Sequence, residues 1–246
     1  MAGAAVGFGA VDVTGLLPSP QPAVAVAEAS PAAGPSFVKI VKGVPAAEPV
    51  EAETEAGTAP GCGGGRHQRA IEQSLATLGT AIDCAAIRAF QQRFGIRPAR
   101  GQADATTADV ARRIATASTR LGGCDAAPQG VTACVDLTTQ TAWVVRDGAV
   151  VLGPTVVRTG YRGHATPAGE YTINKRTERE WSNPYEVWLP YWQRFVGGIG
   201  FHETTTYLHD KARGSHGCVN LLHRDAVTMW EQLEMGAAVH TFGRRP

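Results

Sequence analysis

The spacing of apolar residues in this chain changes once, near residue 130, and that change restricts it to a helical part followed by a β-rich part. Between residues 61 and 121 apolar side chains recur three or four apart: Ile71, Leu75 and Leu78, then Ile87, Phe90 and Phe94, then Val110 and Ile114. That spacing puts each set on one face of a helix. Gly79 and Gly95 stand where helices stop, and Asp83 stands where a side chain caps the second one. The third helix is expected around residues 106–117. From Ala133 onward β-branched and aromatic residues come in short runs, at 134–137, 141–145, 150–152 and 156–159. Asp147-Gly148 between two of these runs is a two-residue hairpin signal. Further on, Asp225 could cap a helix with Ala226, Met229, Trp230 and Leu233 inward and Gly236 at its end, before a last strand over 238–242. The expectation is an α+β multidomain chain: a segment without a fold at 1–60, a small three-helix domain at 61–121, a linker at 122–131 and a mostly-β domain at 132–246.

A chain of 246 residues with 43% hydrophobic residues can bury a real core. The formal net charge of +1 argues against a polyanion as principal partner. Residues 61–130 are mildly basic, with nine Arg against five acids, but no aromatic-interleaved basic tract accompanies them. A nucleic-acid partner is therefore not expected. Residues 1–60 are rich in Ala, Pro, Gly and Val with acids at Glu48, Glu51, Glu53 and Glu55. Asp12, Pro18 and Pro20 interrupt the apolar run and the first basic residue is Lys39, so neither a complete secretory signal nor a membrane span is legible there. Ala25-Val26-Ala27-Glu28-Ala29-Ser30 reads as a cleavage region lacking its front end, or as part of a disordered tether.

The cysteines divide into four plus one: Cys62, Cys84, Cys124 and Cys134 upstream, and Cys218 alone. An even set beside a lone thiol fits an oxidising compartment. Of the three pairings that four cysteines permit, neighbours in sequence, Cys62–Cys84 and Cys124–Cys134, are expected. A zinc site would want a two-residue knuckle that none of these spacings provides.

Cys218 sits in Gly214-Ser215-His216-Gly217-Cys218-Val219-Asn220. Small neighbours let a carbonyl approach a thiol closely and leave backbone N–H groups to face an oxyanion. A thiol also needs a base, and His202, His209, His216 and His223 are available. This stretch resembles the signature of the L,D-transpeptidases (the YkuD-type catalytic domain), in which an upstream His is followed by Ser/Thr-His-Gly-Cys and then Asn or Arg. Thr166-Pro167-Ala168-Gly169-Glu170-Tyr171 matches the Thr-Pro-x-Gly-x-Tyr segment of the same family. The resemblance covers about residues 132–243 and implies a β-sandwich-like catalytic domain. It implies Cys218 as nucleophile and His202, delivered by Ile199-Gly200-Phe201, as general base, with His209 as the fallback. Ser215 and His216 are implied in support, the backbone of Gly217 and Cys218 as oxyanion donors, and Asn220 as a holder of imidazole or substrate carboxylate. Arg158 and Tyr171 are candidate substrate-wall residues.

The chain departs from the family in two places. Twelve residues lie between His202 and Ser215, fewer than is usual there, which would narrow or reshape the substrate entrance, and Glu203 follows the histidine. Trp181, Tyr185, Trp188, Tyr191 and Trp192 form an aromatic segment that would serve as a lid or substrate wall, with core packing expected for most of them.

Ala86-Ile87-Arg88-Ala89-Phe90-Gln91-Gln92-Arg93-Phe94-Gly95-Ile96, with Gly101, Asp104 and Thr107 after it, resembles the peptidoglycan-binding type 1 module. Its glycan contacts would fall on Gln and Arg side chains. Together the two resemblances imply a secreted, wall-located, monomeric enzyme. It would join peptidoglycan stem tetrapeptides in 3→3 cross-links through a thioester, or hydrolyse them, with no cofactor and no metal. Two rivals stand beside this reading. One is a metallopeptidase ligated by His202, His209, His216 and Cys218, whose spacing fits no zinc pattern. The other is a non-catalytic wall-binding protein, to which the short interval after His202 lends weight.

Overall fold

The computed structural model describes residues 67–79, 83–127, 129–204 and 206–246, all within one compact unit, Ala56–Pro246. The expectations for residues 1–60, and for Cys62 and its bridge to Cys84, lie outside the described residues.

Three helices open the described chain: α1 (Gln68–Thr77), α2 (Cys84–Arg93) and α3 (Ala105–Ser118). Asp83 caps α2, its carboxylate accepting from Ala86 N at 2.7 Å, and Asp104 caps α3 in the same way through Thr107 N. Each cap satisfies an N–H that the first helical turn leaves without a partner. Ile71, Leu75, Ile87, Phe90, Phe94, Val110 and Ile114 all turn inward, as their spacing predicts. Gln91, also in that interface, is fully buried. Its amide donates to Gln102 O and Thr107 Oγ1 and accepts from Gly101 N, so this glutamine ties α2 to the turn before α3.

Nine strands follow: β1 (Val131–Asp136), β2 (Thr141–Arg146), β3 (Ala149–Arg158), β4 (Gly169–Thr172), β5 (Lys175–Ser182), β6 (Val187–Val196), β7 (Ile199–Glu203), β8 (Val219–Leu221) and β9 (Ala238–Phe242). They form one sheet in the order β4-β9-β1-β2-β3-β8-β7-β6-β5. The β1–β9 and β7–β8 junctions are parallel and the rest antiparallel. Asp147 and Gly148 take φ of 50° and 79° in the β2–β3 turn, the left-handed pair such a hairpin needs. The two short runs predicted around Gly153 and Pro154 are one strand, β3, whose register against β2 shifts at Ala142–Val145. In place of two separate layers there is one curled sheet. Its core joins Val135 and Val239 from one half to Phe195, Phe201 and Val219 from the other, closed by Met229 and Leu233 of the α4 region (α4, His223–Gln232).

The helices do not keep a core to themselves. Val156 of β3 and Leu208 complete their cluster, and Leu222 packs against it. Asp225 departs from its expected role: Leu222 occupies the N-cap of α4, and the Asp225 carboxylate is fully buried in its first turn. There it takes both Arg93 Nη atoms of α2, at 2.7 and 3.1 Å, and the hydroxyl of Thr155. A buried carboxylate needs such partners, because desolvation is otherwise uncompensated. Cys124 and Cys134 are disulfide-bonded with Cα atoms 5.9 Å apart, fastening the segment after α3 to β1. A ten-residue loop closed this way contributes about 2–3 kcal/mol in the loop-entropy model.

Arg93→Ala strands the Asp225 carboxylate in the interface between helices and sheet. The expected cost is about 3 kcal/mol of unfolding free energy, read as a lower urea midpoint at unchanged slope.

Candidate active site

Strands β7 and β8 run side by side in parallel, with Phe201 opposite Val219 and His202 opposite Asn220. Continuing that register one step places Cys218 beside Gly200. Paired residues on adjacent strands share a face and alternate along each strand, so Cys218 and His202 project from the same face. Gly200 has no side chain to stand between them, and a Cβ there would lie 2.5 Å from Gln193 O of β6. Both functional groups line one cavity of about 760 Å³, together with Tyr161, Tyr185, Trp188 and Tyr207.

His202 is largely buried, and its Nδ1 lies 2.8 Å from Glu203 O. A carbonyl can only accept, so Nδ1 carries the proton and Nε2 keeps its lone pair. Burial, opposed by that hydrogen bond and by the Glu203 charge, pushes the imidazole pKa below its ordinary value. Burial also raises the Cys218 thiol, opposed by a hydrogen bond from the Gly200 backbone. Desolvation disfavours whichever form of a group is charged, so it acts in opposite directions on an acid and a cation. The resting pair is therefore thiol and neutral imidazole. Cys218 is the free cysteine among the described residues, its Sγ 3.9 Å from Gly198 O.

The loop before Cys218 is pinned from behind. Ser215 N donates to Thr159 O, Tyr161 N donates to Ser215 O, and the Ser215 hydroxyl donates to Cys218 O at 2.5 Å. Gly217 N donates to Ser215 Oγ at 3.1 Å. That bond withdraws the Gly217 N–H from the oxyanion role expected for it, while the Cys218 N–H has no acceptor among the described residues. Thr166 explains the Thr-Pro-x-Gly segment: its hydroxyl donates to Gly217 O at 2.6 Å and accepts from Gly160 N at 3.0 Å. Gly217 itself has φ of 119°, the left-handed region that favours glycine, and a Cβ there would lie 2.7 Å from Ile199 Cδ1, so that side chain would have to shift.

The other sequence candidates fall in different places. His216 is exposed at the cavity wall, stacked on Tyr185 at 4.5 Å and 3.1 Å from the Tyr161 hydroxyl through Nε2, with His164 edge-on. It joins the β5–β6 turn to the loop carrying the thiol. Asn220 is fully buried and its amide donates to Tyr207 OH at 2.7 Å, so it braces the wall and does not itself line the cavity. Tyr171 packs on Phe195 with its hydroxyl donating to Ala168 O. Arg158 is 3% exposed and donates to Leu208 O, behind the cavity. His209 Nε2 donates to Phe94 O at the end of α2, which removes it from the thiol. His223 pairs with the Glu203 carboxylate at 2.8 Å.

The aromatic segment divides. Trp192 is buried with its ring 6.1 Å from His202, whereas Trp181, Tyr185 and Trp188 remain 43–49% exposed, Tyr185 and Trp188 on the cavity wall. Tyr161 and Tyr207 were not found from the sequence. Tyr207 lies in the short interval after His202, and nothing in that interval's composition marks the residue that turns back to Asn220. Its phenol is pushed above its ordinary pKa by burial, against the pull of the Asn220 hydrogen bond.

Residues 130–240 match the family described as the L,D-transpeptidase catalytic domain, YkuD. No curated protein matches. Among solved structures, an L,D-transpeptidase from Stackebrandtia nassauensis is 48% identical, covers 74% of this chain and 93% of its own, and superposes with a TM-score of 0.70. An L,D-transpeptidase from Mycobacterium smegmatis is 22% identical over 46% of this chain and 58% of its own, with a TM-score of 0.40. One from Enterococcus faecium is 27% identical over 46% and 49%, also at 0.40.

The two opposed shifts predict a particular pH response. Alkylation of Cys218 by iodoacetamide is expected to rise with pH without a plateau at neutral pH, its midpoint lying above the ordinary thiol value of about 8.5. A plateau already reached below pH 7 would instead report a thiolate–imidazolium pair.

Proposed function

This chain belongs to the L,D-transpeptidase (YkuD) family, and we propose that it forms 3→3 cross-links between peptidoglycan stem tetrapeptides through a thioester on Cys218. The observation that carries the proposal is the shared cavity: a thiol and an imidazole with a bare Nε2 open onto the same space. Its apolar and aromatic wall, Tyr185, Val187, Trp188 and Leu189, suits the stem of an extended peptide.

In the first step Cys218 Sγ attacks the carbonyl before the terminal D-residue as His202 Nε2 takes the thiol proton. The tetrahedral oxyanion faces the Cys218 N–H. Its collapse breaks the peptide bond, and the leaving amine takes the proton from His202. In the second step an amine of a neighbouring stem gives its proton to His202 and attacks the thioester carbonyl. Sγ leaves and recovers that proton, and the new amide is the cross-link. Water in place of the amine gives hydrolysis. Dividing one acyl transfer into two thiol-mediated steps is the usual advantage of covalent catalysis. A neutral imidazole suits the first step because it must accept a proton before it can return one.

Residues 61–121 serve in this reading as a peptidoglycan-binding module, which would hold polymeric substrate near the cavity at raised effective concentration. Since Gln91 is committed to internal bonds, glycan contacts would fall on exposed neighbours such as Arg88, Gln92 and Arg100. The Cys124–Cys134 disulfide supports a location outside the cytoplasm.

The test is product analysis on purified tetrapeptide-containing muropeptides. Wild type is expected to release the terminal D-residue and to form dimers or tripeptides. Cys218→Ala is expected to lose all of that turnover at unchanged melting temperature, and His202→Gln to lose about 10²–10⁴-fold. Equal turnover by Cys218→Ala would defeat the proposal.

A further inference from the structure

Behind the wall of the Cys218 cavity lies a second cavity of about 430 Å³, between α3, the end of β3 and the C-terminal segment. Five cationic side chains line it: Arg112 and Arg113 from α3, Arg158 from β3, Lys211 from the loop after β7, and Arg245. Asp109 is the acidic side chain on that lining. Its carboxylate is already divided among Arg112, Lys211 Nζ at 2.6 Å and Arg113 Nη1 at 3.8 Å. Arg158 and Arg245 form no ion pair among the described residues.

What holds these guanidinium groups is backbone. Arg113 donates to the carbonyls of Thr139, Gln140 and Val157, Arg158 to that of Leu208, and Arg245 to those of Thr159, Lys211 and Arg213. Carbonyl dipoles fix the position of a cation without neutralising it. Arg113 and Arg158 are 8% and 3% exposed, so their charge has little water to screen it. Burial and then the neighbouring Arg158 push Arg113 down to about 10, which still leaves it charged at neutral pH. Burial and then Arg245 likewise lower Arg158. Arg158 Nη1 makes no hydrogen bond among the described residues, and Arg113 Nη1 has only the Asp109 carboxylate at 3.8 Å, so donor capacity remains beside the space. Converging, preorganised and under-neutralised guanidinium groups are the arrangement that captures a planar or tetrahedral oxyanion.

We propose that this cavity binds a multiply charged oxyanion, of which phosphate is the simplest, at a site separate from the Cys218 chemistry. Five cationic side chains stand against the Asp109 carboxylate and the terminal carboxylate of Pro246 on its lining, an excess that favours a polyvalent anion over a single carboxylate. The volume admits a phosphate together with part of the group that bears it. Because Arg158 and Arg245 also hold the carbonyls of Leu208, Lys211 and Arg213, the anion would sit against the loop whose other side carries Tyr207.

The experiment is calorimetric titration of the full chain with inorganic phosphate, with chloride exchanged to hold ionic strength constant and citrate as a parallel arm. One saturable site with a Kd below about 1 mM is expected. Lys211→Ala and Arg112→Ala, whose side chains are 63% and 65% exposed, are expected to keep the wild-type melting temperature and to weaken phosphate about tenfold each. Cys218→Ala is expected to bind phosphate as wild type does, which separates this site from the reaction. Citrate binding as tightly identifies a polycarboxylate source, and citrate failing where phosphate succeeds identifies a phosphate one. Absence of a saturable heat, or phosphate affinity unchanged in both Lys211→Ala and Arg112→Ala, would overturn the proposal.

Discussion

Everything at the candidate active site depends on the parallel pairing of two short strands, β7 and β8. That register sets His202 against Asn220 and, one step back, leaves Cys218 beside a residue with no side chain. A slip of one residue would turn either functional group to the opposite face. The pairing is protected accordingly. Phe201, Val219 and Leu221 are fully buried on its other face, and the loop feeding β8 is bonded to Thr159, Tyr161 and Thr166 before it reaches the thiol.

The same burial that secures the register determines the protonation of the pair. Enclosure penalises the thiolate and the imidazolium alike, so the neutral pair is preferred at rest. In the proposed reaction, charge separation would wait until substrate and the Cys218 N–H are present to receive it. Ser215, Thr166 and Asn220 act at one remove. Their bonds go to backbone or to Tyr207 and none goes to the thiol, so their effect is to hold geometry. Preorganisation of this kind avoids reorganising dipoles during the reaction.

The helices are bound into the catalytic unit by two different forces. One is apolar: Val156 and Leu208 sit among the helical side chains, so neither part buries its surface alone. The other is polar and buried, through Arg93 with Asp225 and through Arg113 with three carbonyls of the β-rich part. His209 adds a third tie, to Phe94 O, from the loop that also carries Tyr207. The helical segment therefore reaches to within a few residues of the cavity wall, and the cationic cavity arises where its arginines meet those of the sheet.

Local features of the sequence determined a good deal. Helical spacing, the caps at Asp83 and the hairpin at Asp147-Gly148 depend on neighbours a few residues apart, and so do the lone thiol between small residues and the Thr166 segment. Only the tertiary structure decided the rest. Asp225 reads as a cap until Arg93, far upstream, claims its carboxylate. Arg158 and Asn220 read as substrate contacts until burial places them behind the wall, Tyr171 until its ring packs on Phe195, and Gly217 reads as an oxyanion donor until Ser215 takes its N–H. Tyr207 is silent in sequence because its role comes from a bond to Asn220 across the cavity. The division has one physical cause: torsional preference and spacing act over one turn of chain. Desolvation and hydrogen-bond partnership are settled only when distant segments exclude water from each other.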